Sequence, residues 1–216
     1  MHQPCRTLVL SDGGLPSLLA CVVAREALAI SPAPKGAPHA GLPLVLPFPS
    51  LAPERIEVIR RQADLLALSL IDAELPTRTG PLWEQENHHL LSAASIAVAN
   101  KCDLVVWPES AALGDNLDLD RIAQVADRAL LVGRLTAVDS KEHGVASIRI
   151  EAPYADFTDK QIAELALDMA APIEACWWWG GPPAAGRSGT TGPAIQRERA
   201  RWTDALRAVG WSPLSV

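Results

Sequence analysis

The sequence predicts an α/β fold: a doubly wound parallel sheet of five strands with a small irregular C-terminal loop-helix appendage. Three observations predict it. Five short apolar runs alternate with helical patterns, the order that builds a parallel sheet covered on both faces. The first run stops at Ser11-Asp12-Gly13-Gly14 and passes at once into an apolar helix. Residues 181–193 (GPPAAGRSGTTGP) have the composition of an irregular loop, followed by one last amphipathic helix. The division expected is a main unit over 1–175 and an appendage over 176–216.

Each element follows from its pattern. RTLVL at 6–10 is a buried strand, and the stretch from Pro16 to Ala29 is apolar nearly all round, as in a helix packed deep against a sheet. Residues 31–41 are rich in Pro and Gly and read as a loop. LPLVLPF at 42–48 is the second strand, with Pro43 and Pro47 at its ends because proline cannot donate to a ladder. Ile56, Ile59, Ala63, Leu66 and Leu70 recur at three and four, predicting a helix over 53–69 that starts near Ser50 and Pro53. A strand at 68–74, a polar loop at 76–87 and a small-residue helix at 88–100 follow. DLVVWP at 103–108 is a strand, 119–131 a helix and 145–151 a strand. Thr158 and Gln161 form a capping box ahead of Ile162, Leu165, Ala166 and Met169. The final helix runs from Pro193 to Val209, with Gly210 as its stop.

Composition narrows the function classes. The 216 residues are 49% hydrophobic and 20% charged, a globular balance. A net charge of -6 argues against a nucleic-acid surface, which needs clustered Lys and Arg. Four scattered cysteines, Cys5, Cys21, Cys102 and Cys176, read as free thiols in a reducing compartment, with the cytoplasm as the default. No signal pattern and no charge-free apolar run of membrane length is expected from the residues. Ligands of doubly wound sheets bind beyond the carboxyl ends of the strands. A ligand site is therefore expected at Ser11, Asp12, Gly13 and Gly14.

Four stretches, in order, carry a family resemblance. LVLSDGGLPSLLA at 8–20 is similar to a strand, S-G-G-x-D-S loop and helix. HHLLSAASIAVANKCDLVV at 88–106 is similar to a central helix and fourth strand. IRIEAPYADFTDKQIAELALDMAAPIEACWWWGG at 148–181 matches most closely. The fourth stretch is a stripped zinc frame, Cys176, Ala185, Ser188 and Thr191, at the spacing C-x8-C-x2-C-x2-C. An Arg-rich helix and the ending Gly210-Trp211-Ser212-Pro213-Leu214 follow it. The chain thereby resembles the PP-loop ATP pyrophosphatase superfamily (adenine nucleotide alpha hydrolase-like fold), and within it the 7-cyano-7-deazaguanine synthases of queuosine biosynthesis.

The resemblance implies ATP with Mg²⁺, a deazapurine substrate, and adenylation of a carboxylate followed by ammonia attack. Backbone N–H groups of the glycine turn would cradle the phosphates at a helix N-terminus. The residues depart from that pattern at both centres. Asp12 stands where the family has its first serine, and Pro16 where it has an aspartate. Gly13, Gly14 and Ser17 keep the family pattern. The turn then reads as a weakened phosphate cradle, as a cradle for another ligand, or as a ligand-free strand-to-helix turn with Pro16 at the first helical position. One thiol cannot hold structural zinc, so zinc is not expected.

Other residues stay open between roles. His88-His89 replace a family R-N pair and read as a solvated helix start. Asp115, Asp118 and Asp120 around Asn116 offer carboxylates to a hard cation but lack the glycine and distal glutamate of a calcium loop. Glu109 reads as a ligand contact, a solvated group or a helix cap. Trp177-Trp178-Trp179 read as core packing, as filling for a lost metal loop, or as a platform for a flat ligand or a partner. His39 and His143 have no sequence partner, and no catalytic triad is legible. Two functions follow: a divergent, catalytically impaired synthase-like protein, or a ligase working without zinc. An interaction module built on the tryptophans, forming a homodimer, is the third.

Overall fold

The computed structural model describes residues 6–30, 41–73, 80–142, 148–179 and 192–212. Its centre is a parallel five-stranded sheet in the order β3-β2-β1-β4-β7. The strands are β1 (Thr7–Ser11), β2 (Leu44–Pro47), β3 (Ser69–Leu70), β4 (Leu104–Val106) and β7 (Arg149–Glu151). Between β4 and β7 a short antiparallel hairpin pairs β5 (Ala112–Leu113) with β6 (Asn116–Leu117).

The apolar runs explain the layers. Strands of a parallel sheet are buried on both faces, so they need no polar alternation. Val9 and Val45 point into one core with α1 (Leu15–Ile30), α2 (Pro53–Leu65), α5 (Asp159–Asp168) and α6 (Pro193–Ala208). Leu8, Leu10, Leu44, Leu46 and Val105 point into the other, under α3 (Leu82–Ala99) and α4 (Leu119–Glu142). The chain builds outward from β1 through β2 and β3, then returns to place β4 on the other side. The reversal lies between β1 and β4, which puts a crevice beyond their carboxyl ends.

Several ends agree with the sequence signals. The Thr158 hydroxyl accepts from Gln161 N–H at 3.2 Å, and Thr158 N–H donates to Gln161 Oε1 at 2.8 Å. At the end of α6, Trp211 N–H donates to Leu206 and Gly210 N–H to Arg207, each at 3.0 Å, with Gly210 at φ +86°. That pair of bonds is a Schellman stop.

Other ends differ. Helix α2 ends at Leu65, because Ala67 turns into the left-handed region (φ +52°). Its N-cap is Ala52 rather than Ser50, with Pro53 at the first helical position. Helix α1 begins one residue before Pro16, at Leu15. Helix α3 starts at Leu82, so residues 82–87 of the polar segment are helical. Its Glu86 is polar for an inward reason: it binds Arg121 and Arg128 of α4. Helix α4 runs eleven residues beyond 131 and packs Gly133 against the edge strand β7 at a distance that would leave a Cβ in ordinary van der Waals contact. A Cβ there would lie 3.6 Å from the Ile148 carbonyl and 3.7 Å from the Ile150 nitrogen. The hairpin and a 3-10 turn at Ile173–Ala175 have no counterpart in the sequence reading.

The loop at 31–40, His39, His143 and Cys5 lie outside the described residues, as do the frame positions Ala185, Ser188 and Thr191. Among the described residues no helix is long and apolar enough to cross a membrane.

Candidate ligand cleft at the sheet crossover

A cleft of about 210 Å³ opens at the crossover point. Asp12, Gly14 and Pro16 form one wall, after β1. Pro108, Glu109 and Ser110 form the opposite wall, after β4. Phe48 and Trp177 bound the sides, and α6 contributes Glu198, Arg201 and Trp202.

The glycine turn is where the sequence placed it, but the N–H groups of both glycines and the Ser17 hydroxyl are already engaged. Gly13 N–H donates to the Ser11 hydroxyl at 3.1 Å. Gly14 N–H donates to Asp12 Oδ1 at 2.8 Å, and the Ser17 hydroxyl donates to the same oxygen at 2.9 Å. The carboxylate of Asp12 therefore occupies acceptor positions over its own turn. Gly13 has φ +76°, which favours glycine, and a Cβ on Gly14 would meet the two Asp12 oxygens at 3.0 and 3.2 Å. Ser11 and Ser17 are buried.

Arg55 of α2 completes the lock. Its Nη2 donates to Asp12 Oδ2 at 2.8 Å and to the Asp12 carbonyl at 2.7 Å, and Nε adds a 3.1 Å bond to that carbonyl. The guanidinium also lies 4.2 Å from the ring centre of Trp177. Planar guanidinium suits this double duty, a fork toward oxygen and a face on an aromatic ring.

The tryptophan run splits into three roles. Trp177 N–H donates to the Gly13 carbonyl at 3.0 Å, and Gln62 Nε2 bridges that carbonyl to Ala175. These bonds tie the segment after α5 to the turn. Trp178 is 0% exposed and fills the core beneath. Trp179 packs edge-on against Trp178 and Trp211, with ring centres 6.0 and 5.2 Å apart.

Charge in the cleft is mostly negative. Glu109 pairs with Arg121 at 2.8 Å, and Arg121 also binds Glu86 at 2.5 Å. Burial pushes Glu109 above the usual carboxylate range, against the pull of Arg121. Arg201 forms a fork onto Asp159 at 2.6 and 2.7 Å, and Asp159 also accepts from Gly114 N–H at 3.1 Å. Glu198 lies 3.6 Å from Arg201, while its Oε2 is buried with no hydrogen-bond partner. Burial again raises its pKa first, opposed by Arg201 and reinforced by Asp12 and Asp159.

That shift has a testable sign. A carboxyl with a raised folded-state pKa holds its proton better when folded. Its contribution is full below the unfolded pKa and is lost as pH rises through the folded value. Glu198→Gln is therefore expected to gain melting temperature relative to the native chain as pH rises above the ordinary carboxylate range. Thermal melts across pH check this; a gain that shrinks with rising pH would contradict it.

The remaining expected residues fall elsewhere. Cys176 is buried, and burial, then Asp12 and Glu174, raise its thiol well above its ordinary range, the wrong direction for a thiolate ligand. His88 and His89 sit inside α3 rather than at its start; His88 Nε2 is buried without a partner, and burial and then His88 lower the pKa of His89. Asp118 caps α4, accepting from Arg121 N–H at 3.0 Å, while Asp115 and Asp120 are exposed. Among the described residues no three His, Cys, Asp or Glu side chains group to hold a metal. The sequence reading missed Arg55, Glu198 and Arg201. Only the Arg-rich composition of the last helix hinted at the third.

No protein-family model matches the chain, and no curated protein matches it. Among solved structures it is similar to the U34-tRNA thiolase NcsA from Methanococcus maripaludis with its [4Fe-4S] cluster. That likeness has a TM-score of 0.53 at 12% identity, over 96% of this chain and 72% of the other. The NH3-dependent NAD synthetase from Campylobacter jejuni subsp. jejuni NCTC 11168 aligns over 100% of this chain and 91% of its own. Its TM-score of 0.37, at 14% identity, carries no argument. The fold is thus the doubly wound, parallel five-stranded, adenine nucleotide alpha hydrolase-like architecture. Identity this low speaks for the fold alone.

Proposed function

We propose that this chain is a diverged relative of the 7-cyano-7-deazaguanine synthases that no longer cleaves ATP and keeps its crossover cleft for binding a small ligand. One observation carries the reading: the Asp12 carboxylate accepts from Gly14 N–H and the Ser17 hydroxyl and is clamped by Arg55. A phosphate entering that cradle would meet a fixed negative charge. Size points the same way. The 210 Å³ cleft is smaller than the roughly 300–1,000 Å³ of usual ligand pockets. The residues present therefore do not fit a triphosphate, and no adenylation step is derived through them. They do not fit zinc either, since of the four frame positions only Cys176 carries a thiol, while Ala185, Ser188 and Thr191 offer none.

Glu109, Glu198 and Asp12 favour a ligand that donates hydrogen bonds, and Trp177, Trp202 and Phe48 favour an apolar or flat body. The competing reading, a ligase working without zinc, draws on the retained turn of Ser11, Gly13, Gly14 and Ser17. It needs Asp12 to leave its three partners. Pyrophosphate release from ATP, with and without 7-carboxy-7-deazaguanine, separates the two. No release above the no-protein control is expected, and turnover dependent on the deazapurine would overturn the proposal.

A further inference from the structure

Helix α4 is the longest among the described residues, at 24 residues. Its inner face, with Val125, Ala129 and Val132, is buried under the sheet. The outer face of such a helix is ordinarily polar. Here Leu130, Leu131, Leu135 and Val138 are 51, 61, 51 and 64% exposed. Residues 131, 135 and 138 fall at spacings of four and three, so they share one face. Beside them a groove of about 340 Å³ runs between α4 and β7, lined by Leu130, Gly133, Arg134 and Ala137. Exposed large apolar side chains gathered on one helix face mark a partner surface.

The polar residues on the same face indicate the partner. Asp127 and Arg134 are exposed and stand seven residues apart. Among the described residues neither forms an ion pair within the chain. We propose that this face pairs antiparallel with the same face of a second copy of the chain, about a two-fold axis between Leu130 and Leu131. That axis sets Asp127 opposite the partner's Arg134, and Arg134 opposite the partner's Asp127. It sets Leu130 against the partner's Leu131. The exposed Ala126 then faces the partner's Leu135, and the exposed Ala123 faces the partner's Val138. Small residues opposite large ones let two helices interdigitate. A parallel pairing would instead set Asp127 against Asp127 and Arg134 against Arg134, which like charges disfavour. An isologous contact of this form closes as a dimer. It is independent of the cleft and of any activity there.

Sedimentation of the full native chain at micromolar concentration tests the proposal. A dimer is expected. Asp127→Arg alone and Arg134→Asp alone should each weaken it by about tenfold or more. The double charge swap should recover most of the native affinity, and circular dichroism should show all three folded. Oxidative cross-linking tests the register separately. Leu131→Cys lies next to its own axis and should link readily. Val138→Cys should not, because the two copies stand roughly 22 Å apart along the helices. A native chain that stays monomeric, a double swap no tighter than the single variants, or equal linking at 131 and 138 would each overturn it.

Discussion

Asp12→Ser is expected to bind pyrophosphate at least about tenfold more tightly than the native chain, a gain of about 1.4 kcal/mol or more. The substitution removes the carboxylate from over the turn and frees Gly14 N–H, now bonded to Asp12 Oδ1 at 2.8 Å. It also releases Arg55 from Asp12 Oδ2, leaving a cation beside an anion cradle. The fold should tolerate the change. Asp12 and Arg55 are 42% and 28% exposed, and a partly solvated pair of this kind contributes about 0–1 kcal/mol. Asp12→Asn removes the charge but keeps an acceptor over Gly14, so its gain should be smaller. Equal affinity in all three proteins would mean that the Asp12 charge does not control the cradle.

Trp178→Ala is expected to cost about 3–5 kcal/mol of stability, read as a lower urea midpoint. Trp178 is among the largest fully buried side chains, and its backbone carbonyl accepts from Arg199 Nε at 2.9 Å. It anchors the segment whose next residue back, Trp177, donates to Gly13 and stacks on Arg55. Collapse of that anchor would loosen the glycine turn as well as the core. Trp178→Phe keeps much of the volume and removes Nε1, a buried donor without an acceptor. Its cost should be roughly half that of the alanine variant or less. Similar losses for both would mean that the particular shape of the indole, rather than the volume it fills, holds this segment.

The sheet was legible because buried parallel strands are apolar on both faces, so RTLVL and DLVVWP stand out without any partner in view. The capping box at Thr158 and the stop at Gly210 were legible because their bonds span only a few residues. What escaped depends on distance along the chain. The first turns of α3 read as a polar loop because Glu86 finds Arg121 and Arg128 only 35 and 42 residues later. The hairpin β5–β6 has two residues per strand, too few for a period. At the cleft, the turn was placed correctly and Asp12 was seen as a misplaced charge. Its clamp was hidden, since Arg55 lies 43 residues away on a helix whose pattern shows only a buried face. Arg201 and Asp159 are likewise joined across 42 residues.

Calorimetric titration of the native chain with ATP and magnesium bears most directly on the self-occupied turn. The account predicts no saturable heat up to millimolar nucleotide, because Asp12 holds the positions that phosphate oxygens would take. One-to-one binding at micromolar concentration, lost on truncating Ser17 or Arg55, would contradict it.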